Sequence, residues 1–413
     1  MVINGEAGVI KIFYFVFLFV VNRVSYKIHK DVLHPIFICS AMWFVLPLLY
    51  ELLSSTSSNY YVLSDKFYAI IISFFISFIL FTIFIVKGHC RKGKITINDI
   101  PTEHIHNLLH FCMLCNFIVI IRILLLCRTV NIAYAIMRFR VIVTETPYMI
   151  SPDIKLLLYI FSITPPLFCY IFLFRCKVKK LELVLFSIEF LLMTLLYVSK
   201  GRMMKYFIMI FCILLLKNKL NLRTVLFSIG IVFGLIFFMT MSRDKNFMKN
   251  FTFLDYIFVY VLSPLPAFDM LINGKVDFGG MTNGIRTFIF PLRVFSKFTG
   301  WQLPVFDKMF INIPAKQGAV PTNVYTSLSN SYMDFGNFGC MIYGLLVALC
   351  FGTAYRMFAV SKKKEYTLFY LLIVYCIVFQ FFGDLFFAFF SMVIQDFICA
   401  IIVVRKFKTG RKT

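Results

Sequence analysis

A set of arginines has the residue type and the setting that favour binding of a phosphate group. An Arg side chain stays charged, and its planar fork matches phosphate oxygens. Arg286 follows a glycine-rich turn in GGMTNGIR, where Thr282 or Asn283 can cap a short helix whose first N–H groups also attract an anion. The alternative for each arginine is that it extends to lipid headgroups. The set is Arg202, Arg243, Arg286 and Arg293.

Among the carboxylates, Asp334 has the setting of a general base. It lies in NVYTSLSNSYMDFGNFG, just before an apolar run. A carboxylate there can take the proton of a sugar hydroxyl during glycosyl transfer. The alternative is an Asp at a helix start or in the headgroup region. Arg122 and Glu189 lie inside apolar runs, where an ionisable residue is a functional candidate by default, although the two can also form a structural pair or extend to the surface.

The histidines and cysteines give weaker signals. His104 and His106 suggest a metal, but without a third ligand type nearby in the sequence a solvated loop is the favoured interpretation. Cys112 and Cys115 form a CxxC inside an apolar stretch with no second pair, which is typical of packing rather than of a zinc or redox site. We therefore predict no metal and no cofactor in the functional site.

The composition shows which solvent surrounds these residues. Of the 413 residues, 61% are apolar and 15% are charged, whereas soluble domains are about half apolar and a quarter charged. Such an excess cannot be buried in one globule, so lipid must cover much of the surface. The basic residues that give the net charge of +23 lie between the apolar runs. This placement indicates membrane topology rather than binding of nucleic acid.

The hydrophobic pattern predicts an all-α, polytopic integral membrane protein. A helix needs about 20 apolar residues to cross the hydrocarbon core. We predict about eleven transmembrane helices, within a range of about 10–12, in a single transmembrane domain over residues 1–413. Gly383-Asp384 supply a turn in the last apolar stretch. The predicted spans are 8–22, 34–50, 67–86, 108–127, 154–174, 181–198, 203–216, 224–241, 338–355, 366–382 and 388–404.

The distribution of Lys and Arg predicts the orientation. Basic residues are concentrated in every second short connection, and the positive-inside rule therefore places the N-terminus outside and the C-terminus in the cytoplasm. The long loop 242–337 is then on the outer side. Its apolar stretches 253–272 and 285–295 predict short interfacial or re-entrant helices that fold back over a cavity. Residues 128–153 predict a second outer segment with an amphipathic helix.

The most specific motif is PTNVYTSLSNSYMDFGNFGCMIYG at residues 321–344. It resembles the Asn-Val-Tyr-Thr, Tyr, Asp-Phe-Gly, Phe-Gly pattern of the oligosaccharide repeat-unit polymerases, also called O-antigen polymerases of the Wzy type. Supporting stretches are SKGRMM at 199–204, MSRD at 241–244 and GGMTNGIRTFIFP at 279–291. Their order, their spacing and the single large late outer loop resemble the family along nearly the whole chain.

The resemblance implies a fold similar to the lipid-dependent (GT-C-like) glycosyltransferases and a place in the bacterial cytoplasmic (inner) membrane. The substrates would be oligosaccharide repeat units on undecaprenyl diphosphate, joined on the outer side without a metal. A chain-length regulator and a flippase of the same pathway are implied partners. The matching positions give Arg286, Asp334 and Arg293 as catalytic candidates, and Arg202 and Arg243 as substrate-binding candidates. Aromatic and amide groups that suit an acceptor sugar are Asn323, Tyr325 and Tyr332.

Three alternatives stay open. A ligase that moves the finished glycan to a lipid core shares the donor. By resemblance to that family, a ligase would have a histidine beside an arginine in its outer loop, and the predicted outer loop of this chain has no histidine. A flippase would show repeated halves and cationic residues through the depth of a pore, and the sequence shows neither. A membrane scaffold without catalysis does not require a basic outer loop rich in Asn, Tyr and Gly.

Overall fold

The computed structural model describes residues 8–87, 103–174, 178–196, 200–217, 258–304, 306, 310–315, 318–361 and 363–406. The described chain is mostly helical. It packs as two compact units. The first unit contains Met1–Lys92, Asn250–Lys362 and Cys376–Ser391, and the second contains Gly93–Lys249, Lys363–Tyr375 and Met392–Thr413.

The described α-helices are numbered in chain order. They are α1 Val9–His29, α2 Pro35–Ser54, α3 Asp65–Val86, α4 Glu103–Leu126, α5 Ile132–Glu145, α6 Pro152–Phe161, α7 Thr164–Phe174, α8 Lys180–Leu196, α9 Lys200–Leu216, α10 Pro264–Ile272, α11 Ile289–Thr299, α12 Leu328–Val347, α13 Thr353–Val360, α14 Lys364–Val378 and α15 Phe390–Lys406. Short π-helical turns, Phe258–Leu262 and Ala348–Gly352, precede α10 and join α12 to α13.

Local capping explains several helix boundaries. The His34 ring accepts a hydrogen bond from the Ile36 N–H at 3.3 Å, and Pro35 supplies the fixed φ that suits a first helical position. Ser64 caps α3 by accepting from the Phe67 N–H at 3.3 Å. Asn131 caps α5 in the same way, and this helix occupies the segment 128–153 where an amphipathic helix was predicted.

The prediction of a helical membrane protein is confirmed in its coarse form. Six helical segments of the described chain are long and apolar enough to cross a membrane: Val9–His29, Pro35–Ser54, Asp65–Val86, Ile105–Leu126, Pro152–Phe174 and Leu328–Val360. The first extends beyond the predicted 8–22. The break at Gly383-Asp384 is also confirmed, because α14 ends at Val378 and α15 begins at Phe390. The predicted span 224–241 lies outside the described residues, so the number of crossings stays a prediction.

The described part of the predicted loop 242–337 contains the expected short helices, α10 and α11, and a hairpin that was not expected, and the loop ends earlier than predicted because α12 begins at Leu328. Strand β1 (Ile311–Ala315) pairs antiparallel with β2 (Gly318–Thr322), and Ile313 lies opposite Val320. Only helices were expected in this loop. The sequence does not favour these two strands, because each of them contains a proline. A proline cannot donate to a ladder and argues against a strand when only the sequence is considered.

Close packing in the first unit fixes the helix that carries Asp334. At Gly344 in α12, a Cβ atom would lie 2.2 Å from the Ser77 Oγ and 2.6 Å from the Phe74 carbonyl oxygen of α3. The Ser77 hydroxyl donates to the Met341 carbonyl oxygen at 2.9 Å. A small residue at 344 therefore lets the two backbones approach, as is common between helices in membranes.

Candidate functional site

The candidate site is built on the turn 279–288, which precedes α11. Gly284 in this turn has φ +91°, a conformation that glycine adopts without the steric cost paid by other residues. A Cβ atom there would also lie 3.1 Å from Cζ of Phe335 and 3.4 Å from Cδ2 of Phe288. The sequence GGMTNG thus allows a tight turn that packs directly on an aromatic ring of α12.

The partner of this turn is a kink inside α12. The backbone leaves helical geometry at Phe335 (φ −139°, ψ 15°) and Gly336 (φ 60°, ψ −144°). The Thr282 N–H donates to the Met333 carbonyl oxygen at 3.2 Å, which ties the turn to the residues just before the kink. Two motifs distant in the sequence, GGMTNGIR and MDFG, therefore form one local structure.

Asp334 holds this structure together from inside. Its carboxylate is fully buried and accepts hydrogen bonds from the Thr282 hydroxyl, from the Arg286 N–H at 3.2 Å and from the Thr287 N–H at 2.6 Å. Both carboxylate oxygens take part. A buried carboxylate needs such donors because its charge is otherwise costly to remove from water.

This geometry corrects the expected use of the turn. Thr282 or Asn283 was expected to cap a short helix, but the Thr282 hydroxyl donates to Asp334 and α11 begins only at Ile289, after Phe288. The N–H groups of Arg286 and Thr287 do bind an anion, as the motif suggested, but that anion is the chain's own carboxylate. The side chain of Arg286, rather than the backbone, is left for an external ligand.

Arg286 is half-buried, and its planar group stacks on an aromatic ring. The guanidinium carbon lies 3.9 Å from the ring centroid of Phe306. Its Nε is buried and has no hydrogen-bond partner among the described residues. Burial lowers the pKa of Arg286 from its ordinary value, while the Asp334 carboxylate acts in the opposite direction. An arginine remains protonated in proteins, so this is a partly desolvated cation with an unused donor.

The other predicted site residues of the first unit divide into exposed and buried groups. Arg293 on α11 and Asn323 after β2 are exposed. Tyr325 is buried, and this burial raises the pKa of its phenol to about 12. Tyr332 is half-buried, and its hydroxyl donates to the Ile272 carbonyl oxygen at 3.2 Å. Arg293 and Asn323 are accessible to a ligand, whereas the two tyrosines contribute to packing.

Two further arginines, Arg122 and Arg202, belong to the second unit. Arg243 lies outside the described residues, and so does the side chain of Arg202, although the Arg202 backbone is part of α9. Arg122 forms an ion pair with Asp153 at 2.5 Å, which answers the question of its partner, since Glu189 had been the other candidate. One carboxylate oxygen of Glu189 is buried without a hydrogen-bond partner among the described residues.

A second buried carboxylate, Asp384, lies in the break between α14 and α15. It accepts from the Phe387 N–H at 2.9 Å, from the Phe386 N–H at 3.2 Å and from the Tyr343 hydroxyl at 3.3 Å. Burial raises its pKa to about 6, against the opposing effect of these hydrogen bonds. Asp384 thus fixes the turn that separates two apolar helices.

Two contributors to the site carried no sequence signal. Phe306 lies in a stretch without a recognisable motif, and its contact with Arg286 depends on the folded loop. Thr287 follows Arg286, but nothing in the sequence indicates that its N–H meets Asp334. No protein-family model, no curated protein and no solved structure matches the chain. What the fold and the site define is an α-helical membrane protein with an anchored, partly buried arginine.

Proposed function

We propose that this chain polymerises oligosaccharide repeat units carried on undecaprenyl diphosphate, at the outer side of the bacterial cytoplasmic membrane. The product would be O-antigen or a related surface polysaccharide. The observation that supports the proposal is the state of Arg286. It is a half-buried cation with an unpaired Nε, its backbone is bound by Asp334 and its face is covered by Phe306. This arrangement suits a diphosphate that enters with its lipid tail in the membrane.

The chemistry is a glycosyl transfer that needs a good leaving group. The bond between the anomeric carbon of the growing chain and its diphosphate breaks, and a bond forms to a hydroxyl of the incoming unit. The hydroxyl proton passes to a base, and undecaprenyl diphosphate leaves with the electron pair. Arg286 would neutralise the negative charge that develops on the leaving oxygen. Arg293 on α11, in the same unit as Arg286, is the proposed further cation for the diphosphate.

Asp334 receives a different role in this proposal from the base suggested by the sequence. Its two oxygens are occupied by donors of the turn, and the group is fully buried. A general base must come within hydrogen-bond distance of the proton that it removes. The geometry therefore favours Asp334 as a positioning residue that holds Arg286 in place. Asn323 is the exposed candidate for contact with the acceptor sugar.

The direct test is a reaction with purified protein in liposomes, using the lipid-linked repeat unit as both donor and acceptor. Products are separated by size on a gel. We expect the Arg286→Ala variant to lose about 100- to 1000-fold of the rate, as for removal of one stabilising donor of a developing charge. Arg286→Lys should recover only part, since an ammonium lacks the planar fork. Wild-type rates in both variants would contradict the role of Arg286.

A matched control is Lys297→Ala. Lys297 is an exposed cation on α11, in the same loop, and it has the same charge. Its removal should leave the rate unchanged. If Lys297→Ala lowers the rate as strongly as Arg286→Ala, the loop acts through its net charge rather than through one positioned arginine.

Deletion of the gene separates the competing functions. A glycan ladder that collapses to core plus one repeat unit supports a polymerase, because flipping and ligation still work. Loss of even the single unit supports a flippase or a ligase. An unchanged ladder excludes all three.

A further inference from the structure

Two histidines and one glutamate converge in the second unit. His106 and His110 are four residues apart on α4, so their side chains lie on one face of the helix. Glu182 stands in the first turn of α8, 76 residues after His106. Its carboxylate faces both rings: Oε2 lies 2.9 Å from His106 Nδ1, and Oε1 lies 3.6 Å from His110 Nε2.

We propose that His106, His110 and Glu182 bind a divalent transition-metal ion of the zinc class and so link α4 to α8. One ligand atom of each residue lies within 4.8 Å of the others. Three ligands at the usual Zn–N and Zn–O distances stand about 3.4 Å apart around a tetrahedral ion. A small rotation of the side chains is enough to close the set around an ion. Two imidazoles and one carboxylate are a donor set that zinc accepts, with water in the fourth position.

The competing explanation is an ordinary hydrogen bond between His106 and Glu182. That contact needs one imidazole, and it does not explain why a second imidazole nitrogen faces the other carboxylate oxygen. The exposed fractions of the three side chains also suit an ion site. Glu182 and His106 are 17% and 27% exposed, whereas His110 is 57% exposed. The ion can therefore enter from the His110 side and reach ligands that are largely shielded.

The sequence did not indicate this site because its third ligand type is remote along the chain. From the sequence alone, His104 and His106 favour a solvated loop because no third ligand type is evident near them. The spacing of His106 and His110 is the signal that was present, and the packing of α4 against α8 supplies the glutamate. The site is independent of the proposed polymerase function, since it includes none of the residues assigned to that function.

The test uses the full chain purified in detergent and stripped of metal with a chelator, then titrated with Zn²⁺ in a calorimeter. We expect one ion per chain and a higher melting temperature with the ion. His110→Ala and Glu182→Gln should each weaken zinc binding by at least about 100-fold, since loss of a supporting group alone costs 10- to 100-fold. The matched control is His29→Ala, which removes an imidazole from α1 in the first unit and should bind zinc as the wild type does.

Binding of cobalt(II) is a second measurement. A hydrogen bond that holds no metal ion would give no signal in it. Co²⁺ bound by these ligands should absorb in the visible range, and the absorption should disappear in Glu182→Gln. His110 is exposed, so its alanine variant is expected to fold, and its elution from a sizing column checks this. No zinc binding by the wild type, or equal binding by wild type and both variants, would overturn the proposal. A loss of stability in His106→Ala that occurs without any zinc binding would establish the hydrogen bond instead.

Discussion

The replacement Asp334→Asn isolates the role of the buried carboxylate. Asparagine keeps the size of the side chain but offers one acceptor oxygen and an NH₂ group. The wild-type carboxylate accepts from the Thr282 hydroxyl and from the N–H groups of Arg286 and Thr287, and it uses both oxygens. In the variant, the NH₂ group must face a donor, so at least one buried N–H or O–H loses its acceptor.

The expected cost follows from these contacts. A hydrogen bond to a charged acceptor contributes about 1.5–3 kcal/mol, and a buried donor without an acceptor costs about 1–3 kcal/mol. These ranges overlap in what they count, so about 2–4 kcal/mol is the expected loss for the turn. At 1.4 kcal/mol per factor of ten, the population in which the turn is open rises about 30- to 1000-fold. The substitution changes the apolar content of no helical segment that is long enough to cross a membrane, so the protein should still insert.

Hydrogen exchange measured by mass spectrometry can detect this change in lipid nanodiscs. We expect the peptides covering residues 279–288 to exchange about 30- to 1000-fold faster in Asp334→Asn, in parallel with a fall in polymerisation rate. Thr282→Val removes one donor and should give a smaller change of the same kind, non-additive with Asp334→Asn. Asp277→Asn is the matched control, because Asp277 is exposed and asparagine can still accept from the Gly279 N–H. Unchanged exchange together with a lost reaction would refute the positioning role and support direct proton transfer by Asp334.

Three further predictions concern stability and are measured by thermal unfolding in detergent. Gly284→Ala should cost about 1–2 kcal/mol, because φ is +91° at this position; an unchanged melting temperature would contradict the observed turn. Asp384 has its pKa raised to about 6 by burial, so stability should fall by up to about 3 kcal/mol as pH rises from about 4 to about 6, and Asp384→Asn should remove this dependence. Lys205 and Asp396 form a buried ion pair. Lys205→Met alone should therefore lower the free energy of unfolding by about 3–5 kcal/mol, and the double variant with Asp396→Leu should regain most of this loss. Equal losses in the single and the double variant would argue against the pair.

Hydropathy was enough to predict most helices, because each must supply its own apolar surface and satisfy its own backbone. The separation of α14 from α15 was predictable because the apolar stretch is too long for one crossing and Gly383-Asp384 supply a turn. The hairpin of β1 and β2 was not, since Pro314 and Pro321 argue locally against strands that loop packing stabilises.

Two residues of the site, Arg286 and Asp334, were predictable one by one, but their contact was not, and Phe306 and Thr287 carried no sequence signal. Arg286 and Asp334 were both candidates, from two motifs 48 residues apart. A sequence pattern identifies a motif, whereas a contact over that distance is decided by tertiary packing. Asp334 was therefore interpreted from its position near an apolar run, while its burial under the turn became visible only in the fold. The convergence of Glu182 on two histidines of α4 has the same cause.

The way in which Asp334 serves Arg286 has a consequence for ligand binding. The carboxylate binds the backbone N–H of Arg286 and favours its charge through space, but no ion pair or hydrogen bond joins it to the guanidinium within the described residues. A direct salt bridge would have satisfied the cation and reduced its attraction for a ligand. Here part of the desolvation cost of the half-buried guanidinium is already met on folding, and no described carboxylate forms an ion pair with it. An incoming diphosphate would therefore pair with the accessible part of the guanidinium without first displacing an internal carboxylate.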